Sequence, residues 1–180
     1  MDYRGLHQFL KRGGLIAYPT ESCYGLGCDP ANRRAVLRLL KLKGRPQHKG
    51  LILVAAEFRQ LQPYVGKLSV VDHQRIYATW PGPHSWLLPA APSCPRWLTG
   101  KHSSLAVRVT AHQGAVQLCR GLQMALVSTS ANTSGARPSK TYRECLRLFG
   151  QQVKVIPGRI GKRRKPSIIQ DLATGAIFRS

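Results

Sequence analysis

Short apolar runs of strand length alternate along this chain with segments whose apolar residues fall at helical spacing. That alternation restricts the fold to the α/β class. Leu6, Phe9 and Leu10 share one helix face, and Gly13-Gly14 ends that helix. Leu15-Ile-Ala-Tyr18 then reads as a buried strand. Asp29-Pro30 predicts an N-cap with proline at the first helical position, and Val36, Leu37, Leu39 and Leu40 supply the apolar face that follows. Leu51 to Ala55 is a second strand. Gln60 to Thr79 carries helical spacing, broken at Pro63 and near Gly66. Trp80-Pro-Gly-Pro83 is a rigid turn leading into a strand at Ser85 to Leu88. Leu105-Ala-Val-Arg-Val109 alternates as a half-buried strand does. A helix is expected over His112 to Arg120 and a strand over Met124 to Val127. Thr141 and Glu144 have capping-box spacing for a helix running to about Phe149. Strands are expected near Val153 to Ile156, Ser167 to Ile169 and Ala176 to Phe178. The proline-rich, hairpin-like middle predicts a mixed rather than all-parallel sheet.

At 180 residues, with no repeat, low-complexity tract or linker, the chain reads as one domain spanning 1–180. An apolar content of 43% argues against disorder. Leu51-Ile-Leu-Val-Ala-Ala56, among the longest apolar runs, falls well short of the roughly 18 residues of a membrane span. The first residues contain no continuous apolar stretch, which argues against a secretory signal. Twenty-eight Lys and Arg against seven acids give a net charge of +21. A field of that sign favours polyanions: nucleic acid, nucleotides or anionic surfaces. The plainer alternative is a soluble basic protein with no such partner. The five cysteines are odd in number and none are spaced C-x-x-C, which argues against a zinc ribbon or a disulfide scaffold. Reduced thiols in a cytoplasmic protein are the simpler reading, with Cys23 a packing residue. The six histidines show no metal-ligand spacing.

Three polar segments each adjoin a strand-like run. Lys43-Gly-Arg-Pro46 places a point charge and a planar guanidinium beside a glycine that lets backbone approach a ligand. A solvated basic loop is the competing reading. Ser128-Thr-Ser-Ala-Asn132 offers hydroxyls and an amide suited to phosphate or ribose, or else an ordinary turn with local hydrogen bonds. Tyr18-Pro-Thr-Glu21 closes a strand. Thr20 suits a small substrate, and a capping or turn role for Thr20 and Glu21 is the alternative. No G-x-x-x-x-G-K-[ST], G-x-G-x-x-G or G-x-S-x-G motif is present.

In order along the chain, YPTESCYGLG (18–27), KLKGRP and KGLILVA (41–55), WPGPHSWLLPA (80–90), LAVRV (105–109), STSANTSG (128–135) and PSIIQDLATGAIFR (166–179) resemble the YrdC/TsaC family of threonylcarbamoyl-AMP synthases, in its compact bacterial TsaC form. The resemblance implies a single-domain twisted mixed sheet flanked by helices, with a concave basic cleft. It implies a nucleotidyltransferase: L-threonine and bicarbonate or carbon dioxide form a carbamate, which attacks the α-phosphorus of ATP and expels pyrophosphate. Mg²⁺ is expected on the ATP, with no metal held by the protein itself. The adenylate would go to TsaD/TsaB/TsaE-type transfer proteins for t6A modification of tRNA at adenosine 37.

The family's K-x-R signature falls on Lys43 and Arg45 as catalytic, phosphate-binding residues. Its S-x-N signature falls on Ser130 and Asn132, with Ser128 nearby, as nucleotide-binding. Thr20, Tyr24 and Arg108 match substrate-binding positions. Ser167 matches a nucleotide-side serine, although Ile168 replaces the usual threonine. Many relatives carry a histidine after the second strand, and this chain does not. His48 does not fill that role. Substituting Lys43 or Arg45 by alanine is expected to abolish adenylate formation and leave the fold intact. The runner-up reading is a module that binds double-stranded RNA or tRNA through the same basic surface, its pocket vestigial. A nucleotide hydrolase ranks last, for want of a water-activating base on a motif. No membrane partner is expected.

Overall fold

A computed structural model describes residues 1–179. Among the described residues nine strands form one sheet: β1 (Ile16–Pro19), β2 (Tyr24–Gly27), β3 (Ile52–Ala55), β4 (His84–Pro89), β5 (Ser104–Val109), β6 (Leu126–Ser130), β7 (Lys154–Val155), β8 (Ile168–Asp171) and β9 (Ile177–Arg179). Their order across the sheet is β7-β1-β2-β6-β3-β5-β4-β8-β9. Three pairings, β1–β7, β3–β5 and β4–β8, are parallel and the others antiparallel, so the sheet is mixed. Strand β6 is shared. Its first half, Leu126 to Ser128, pairs with β3, and its second half, Thr129 and Ser130, pairs with β2.

Six α-helices accompany the sheet: α1 (Tyr3–Lys11), α2 (Arg33–Lys43), α3 (Val70–Tyr77), α4 (Arg96–Thr99), α5 (Gln113–Leu122) and α6 (Tyr142–Phe149). The alternation of strand side chains divides the core in two. Ile16 and Tyr18 of β1 pack with Leu6 and Leu10 of α1 and Leu118 and Leu122 of α5. Leu15 and Ala17, one residue out of phase, join the larger cluster with Val36, Leu39 and Leu40 of α2 and Leu53, Leu88 and Val107 of the sheet. The inner strands β1, β2, β3 and β5 are therefore buried on both faces, whereas β8 is half-buried and β9 exposed.

The helix ends follow their capping chemistry. The Thr141–Glu144 capping box forms as its spacing predicts and starts α6. Helix α2, by contrast, begins later than Asp29-Pro30 predicts. Asn32 is its N-cap, accepting from the Ala35 amide at 3.0 Å. Asp29 is engaged elsewhere, accepting from the Ala31 amide and pairing with Lys11 Nζ at 2.9 Å. At its other end α2 stops at Gly44, which takes the left-handed conformation (φ 61°) that a side chain resists. The helical spacing between Gln60 and Thr79 resolves into short 3₁₀ turns around Pro63 and then α3.

Two other expectations need correction. β5 is buried along nearly its whole length rather than half-buried. Leu105, Val107 and Val109 face the core, and Ser104, Ala106 and Arg108 face a cavity rather than solvent. Ser128 and Ser130 are not beyond the end of the preceding strand; they are part of β6.

Candidate active site

The cavity has a volume of about 700 Å³, within the size range of small-molecule sites. Strand residues Ile52, Ala106, Ser128 and Ile169 contribute to its wall, and the loop after α2 and the segment after β6 close it. Five Lys or Arg side chains line it (Lys43, Arg45, Lys49, Arg108 and Arg179) against one acid, Asp171. Thr20, Ser128, Ser130, Asn132 and Ser167 are in the same lining, so the structure brings together every proposed site residue except one. His48 is exposed and lies outside it.

The exception is Tyr24. It is fully buried and does not line the cavity. Its hydroxyl donates to the Gly158 carbonyl at 2.7 Å, and burial pushes its pKa up to about 12, which keeps it a donor. Tyr24 therefore anchors the loop that follows β7. Its place on β2, whose alternate residues Gly25 and Gly27 face the other way, turns its ring into the core. Cys23 departs from expectation in the opposite sense. It is half-buried in the cavity wall, and burial raises its pKa, so it remains a thiol.

Lys43, the last residue of α2, is 4% exposed. Its ammonium reaches Ser130 O at 2.6 Å, Asn132 O at 2.9 Å, Asn132 Oδ1 at 3.0 Å and Ser130 Oγ at 3.3 Å. Three protons thus serve four oxygens, and the K-x-R and S-x-N segments are tied into one knot. Asn132 completes it by donating through Nδ2 to the carbonyls of Thr133 and Ala136. Burial, with a smaller contribution from Arg45, lowers the Lys43 pKa to about 8. Arg45 donates through Nε and Nη2 to the Gly50 carbonyl at 3.2 and 2.9 Å, which holds its guanidinium in the wall. Thr20 donates its hydroxyl to the Cys23 carbonyl at 2.7 Å and keeps its lone pairs for a ligand.

Arg108 is 7% exposed. Its Nη2 lies 3.3 Å from Glu21 Oε2, an ion pair whose geometry is not that of a hydrogen bond. Arg108 Nε and Glu21 Oε2 are both buried without a hydrogen-bond partner. Such orphans are rare in folded proteins, and of the two buried cations in the wall, Lys43 and Arg108, only Arg108 has one. Arg179 is the cavity cation that the sequence reading left unassigned. It donates to Ser167 O and Oγ, each at 2.8 Å, and Ser167 Oγ also meets Ser85 Oγ at 3.1 Å. Burial first, and then Arg108, lowers the Arg179 pKa. Its only sequence signal is its position in the 166–179 stretch.

A mixed α/β sheet with a cavity of about 700 Å³, walled by strand residues and Lys and Arg side chains, defines the class of protein. The sequence profile of the Sua5/YciO/YrdC family, described as telomere recombination, matches residues 8–180, and the chain belongs to that family. It is 60% identical over 179 residues to a protein of Methylobacillus flagellatus named threonylcarbamoyl-AMP synthase, covering 99% of each chain. It is 57% identical over 176 residues to one of the same name from Thiobacillus denitrificans, covering 98% of this chain and 94% of the other. Among solved structures it is similar to Sua5 of P. abyssi complexed with L-threonine, with a TM-score of 0.88 and 30% identity over 97% of this chain. The match spans about half of that protein, 52% of its length.

Proposed function

We propose that this protein is a threonylcarbamoyl-AMP synthase acting in t6A modification of tRNA. One observation carries the reading: a buried, unpartnered Arg108 donor in a cavity that also holds Lys43, Arg45 and Arg179. The reaction brings a triphosphate, a carboxylate and a carbamate together, and fixed cations offset their mutual repulsion. The threonine amine attacks the carbon of carbon dioxide and gives up a proton to solvent, or that of bicarbonate with loss of water, and the carbamate forms. A carbamate oxygen then bonds to the α-phosphorus as the bond from that phosphorus to the bridging oxygen breaks, and pyrophosphate departs with the electron pair. Positioning and charge do most of the work in such a transfer, and no enzyme nucleophile is needed.

The geometry supports the following roles. Arg45 and Arg179 face phosphate oxygens. Arg108 takes the substrate carboxylate or bicarbonate, with Thr20 beside it. Ser128 and Ser167 contact the nucleotide. Lys43 supplies positive charge at the wall while fixing Ser130 and Asn132. Mg²⁺ enters on the triphosphate and offsets its charge. Among the described residues no three His, Cys, Asp or Glu side chains converge, and Asp171 is the one carboxylate in the lining, so the donor set suits an ion carried by phosphate.

We place residues 1–180 in one YrdC-like domain, in the cytoplasm where ATP and tRNA meet. TsaD/TsaB/TsaE-type proteins would receive the adenylate. Direct contact with tRNA or double-stranded RNA is supported by the +21 charge. Among the described residues no helix is long and apolar enough to cross a membrane.

The test is pyrophosphate release from ATP by the purified protein, with and without L-threonine and bicarbonate, with mass detection of the adenylate. Release that needs both substrates is expected. A folded protein that releases none would overturn the reading.

A further inference from the structure

Of the three ion pairs among the described residues, only Glu21–Arg108 involves a cavity residue. Glu21 itself does not line the cavity. It stands behind Arg108, with one carboxylate oxygen hydrogen-bonded and the other held only by the ion pair. Oε2 faces Arg108 Nη2 at 3.3 Å, and Oε1 accepts from the Thr110 hydroxyl at 2.6 Å. Thr110 lies two residues beyond Arg108, at the end of β5, and its hydroxyl accepts in turn from the His112 amide.

The backbone around Glu21 is fixed from a second side by the loop after β7. Arg163 N donates to the Glu21 carbonyl at 3.2 Å and Gly161 N to the Thr20 carbonyl at 2.9 Å. A Cβ at Gly161 would come within 2.7 Å of the Glu21 carbonyl, so the two strands of chain touch. In a protein with seven acids, one is thus held by two separate segments directly behind a cavity-lining guanidinium. A carboxylate there does two things. It takes up one edge of the guanidinium and leaves Nε free, and it lowers the cost of burying the charge.

We propose that Glu21 is a positioning residue that aims Arg108 at the anionic group of a substrate, a carboxylate or bicarbonate, with Thr110 as the hydroxyl that sets the Glu21 rotamer. The proposal rests on the synthase reading above for the identity of that anion. It assigns Glu21 no contact with substrate: its effect passes entirely through Arg108.

The test is a double-mutant cycle on the full chain. KM for L-threonine, KM for bicarbonate and kcat are measured for wild type, Glu21→Gln, Arg108→Lys and the double variant. Glu21→Gln is near-isosteric and keeps a hydrogen-bonding oxygen for Thr110. It is expected to raise one of the two KM values roughly tenfold, within the range found for coupled neighbours, with kcat changed less than about twofold. Whichever KM rises identifies the anion. In the Arg108→Lys background the same change is expected to add nothing. Thr110→Val should move the same KM in the same direction by less. Additive effects in the cycle, or a fall in kcat together with thermal stability and no change in KM, would overturn the proposal. L-threonine binding without ATP, followed calorimetrically in the same variants, reads the coupling without turnover. An inactive wild type that still binds threonine with Glu21–Arg108 coupling would sink the synthase reading and leave the positioning role standing.

Discussion

Lys43 and Arg108 are both buried cations in the wall of one cavity, and they are satisfied very differently. Every ammonium proton of Lys43 has an oxygen to go to. Arg108 has an ion pair on one edge and a bare Nε. The first arrangement is finished without a ligand. The second leaves a buried donor unpaired, which we propose a substrate anion offsets. The motif lysine thus braces the wall, and the mid-strand arginine is the one we propose for the substrate anion, as its resemblance to a substrate-binding position implies.

The largest effect that tests this contrast is Lys43→Ala. It strands the Asn132 carbonyl and takes one of two partners from Ser130 O, Ser130 Oγ and Asn132 Oδ1, so a loss of about 1–3 kcal/mol of stability is expected, with adenylate formation reduced by about 10²–10³. Arg108→Lys should also cut activity, by roughly 10- to 100-fold, and leave stability within about 1 kcal/mol of wild type. Denaturant melts of the two variants decide the matter. Equal destabilisation would erase the distinction.

A pH profile sharpens it. Lys43 falls to about 8 in the folded protein from an ordinary value of 10.5. Between those values the unfolded chain binds more protons, so this group's contribution to stability rises as pH climbs from about 8 towards 10.5. Activity goes the other way, because the neutral amine no longer supplies charge. A descending limb in kcat/KM for ATP near pH 8, without a matching loss of thermal stability from this group, is expected. Lys43→Arg, which does not titrate there, should move that limb upward. A limb that stays at pH 8 in Lys43→Arg belongs to some other group.

The smallest effect is a control far from either cation. Thr141→Ala removes the α6 cap and should cost about 1 kcal/mol with no change in turnover. Lost turnover would mean that stability losses alone explain the Lys43 result.

Much of this was legible in the chain. The strand at Leu51 to Ala55, the capping box at Thr141 and the three polar segments are local patterns, and local patterns survive folding. What did not show had non-local causes. Asp29 looks like a cap, but a lysine eighteen positions earlier takes it. Tyr24 sits in a substrate motif, yet strand phase turns it into the core. The alternation of β5 was correct, but no single sequence says whether the second face of a strand meets solvent or a cavity. Arg179 gains its place from β8 and Ser167, and the tail alone carries no trace of that. Lys43, matched by resemblance to a catalytic, phosphate-binding position, also ties Ser130 and Asn132 together, a contact that only the fold creates.

The shared strand β6 has a consequence for how the cavity holds together over time. Its two halves pair with different neighbours, so neither side of the sheet can open at this line without stripping the other of a partner. The backbone amides of Leu126 to Ser130 should then exchange with solvent hydrogen only through the rarest, whole-molecule opening. The outermost strands, β7 and β9, would exchange through local fraying. Ser128, the β6 serine that we propose contacts the nucleotide, would thus sit on the slowest-breathing part of the molecule, with motion left to its edges.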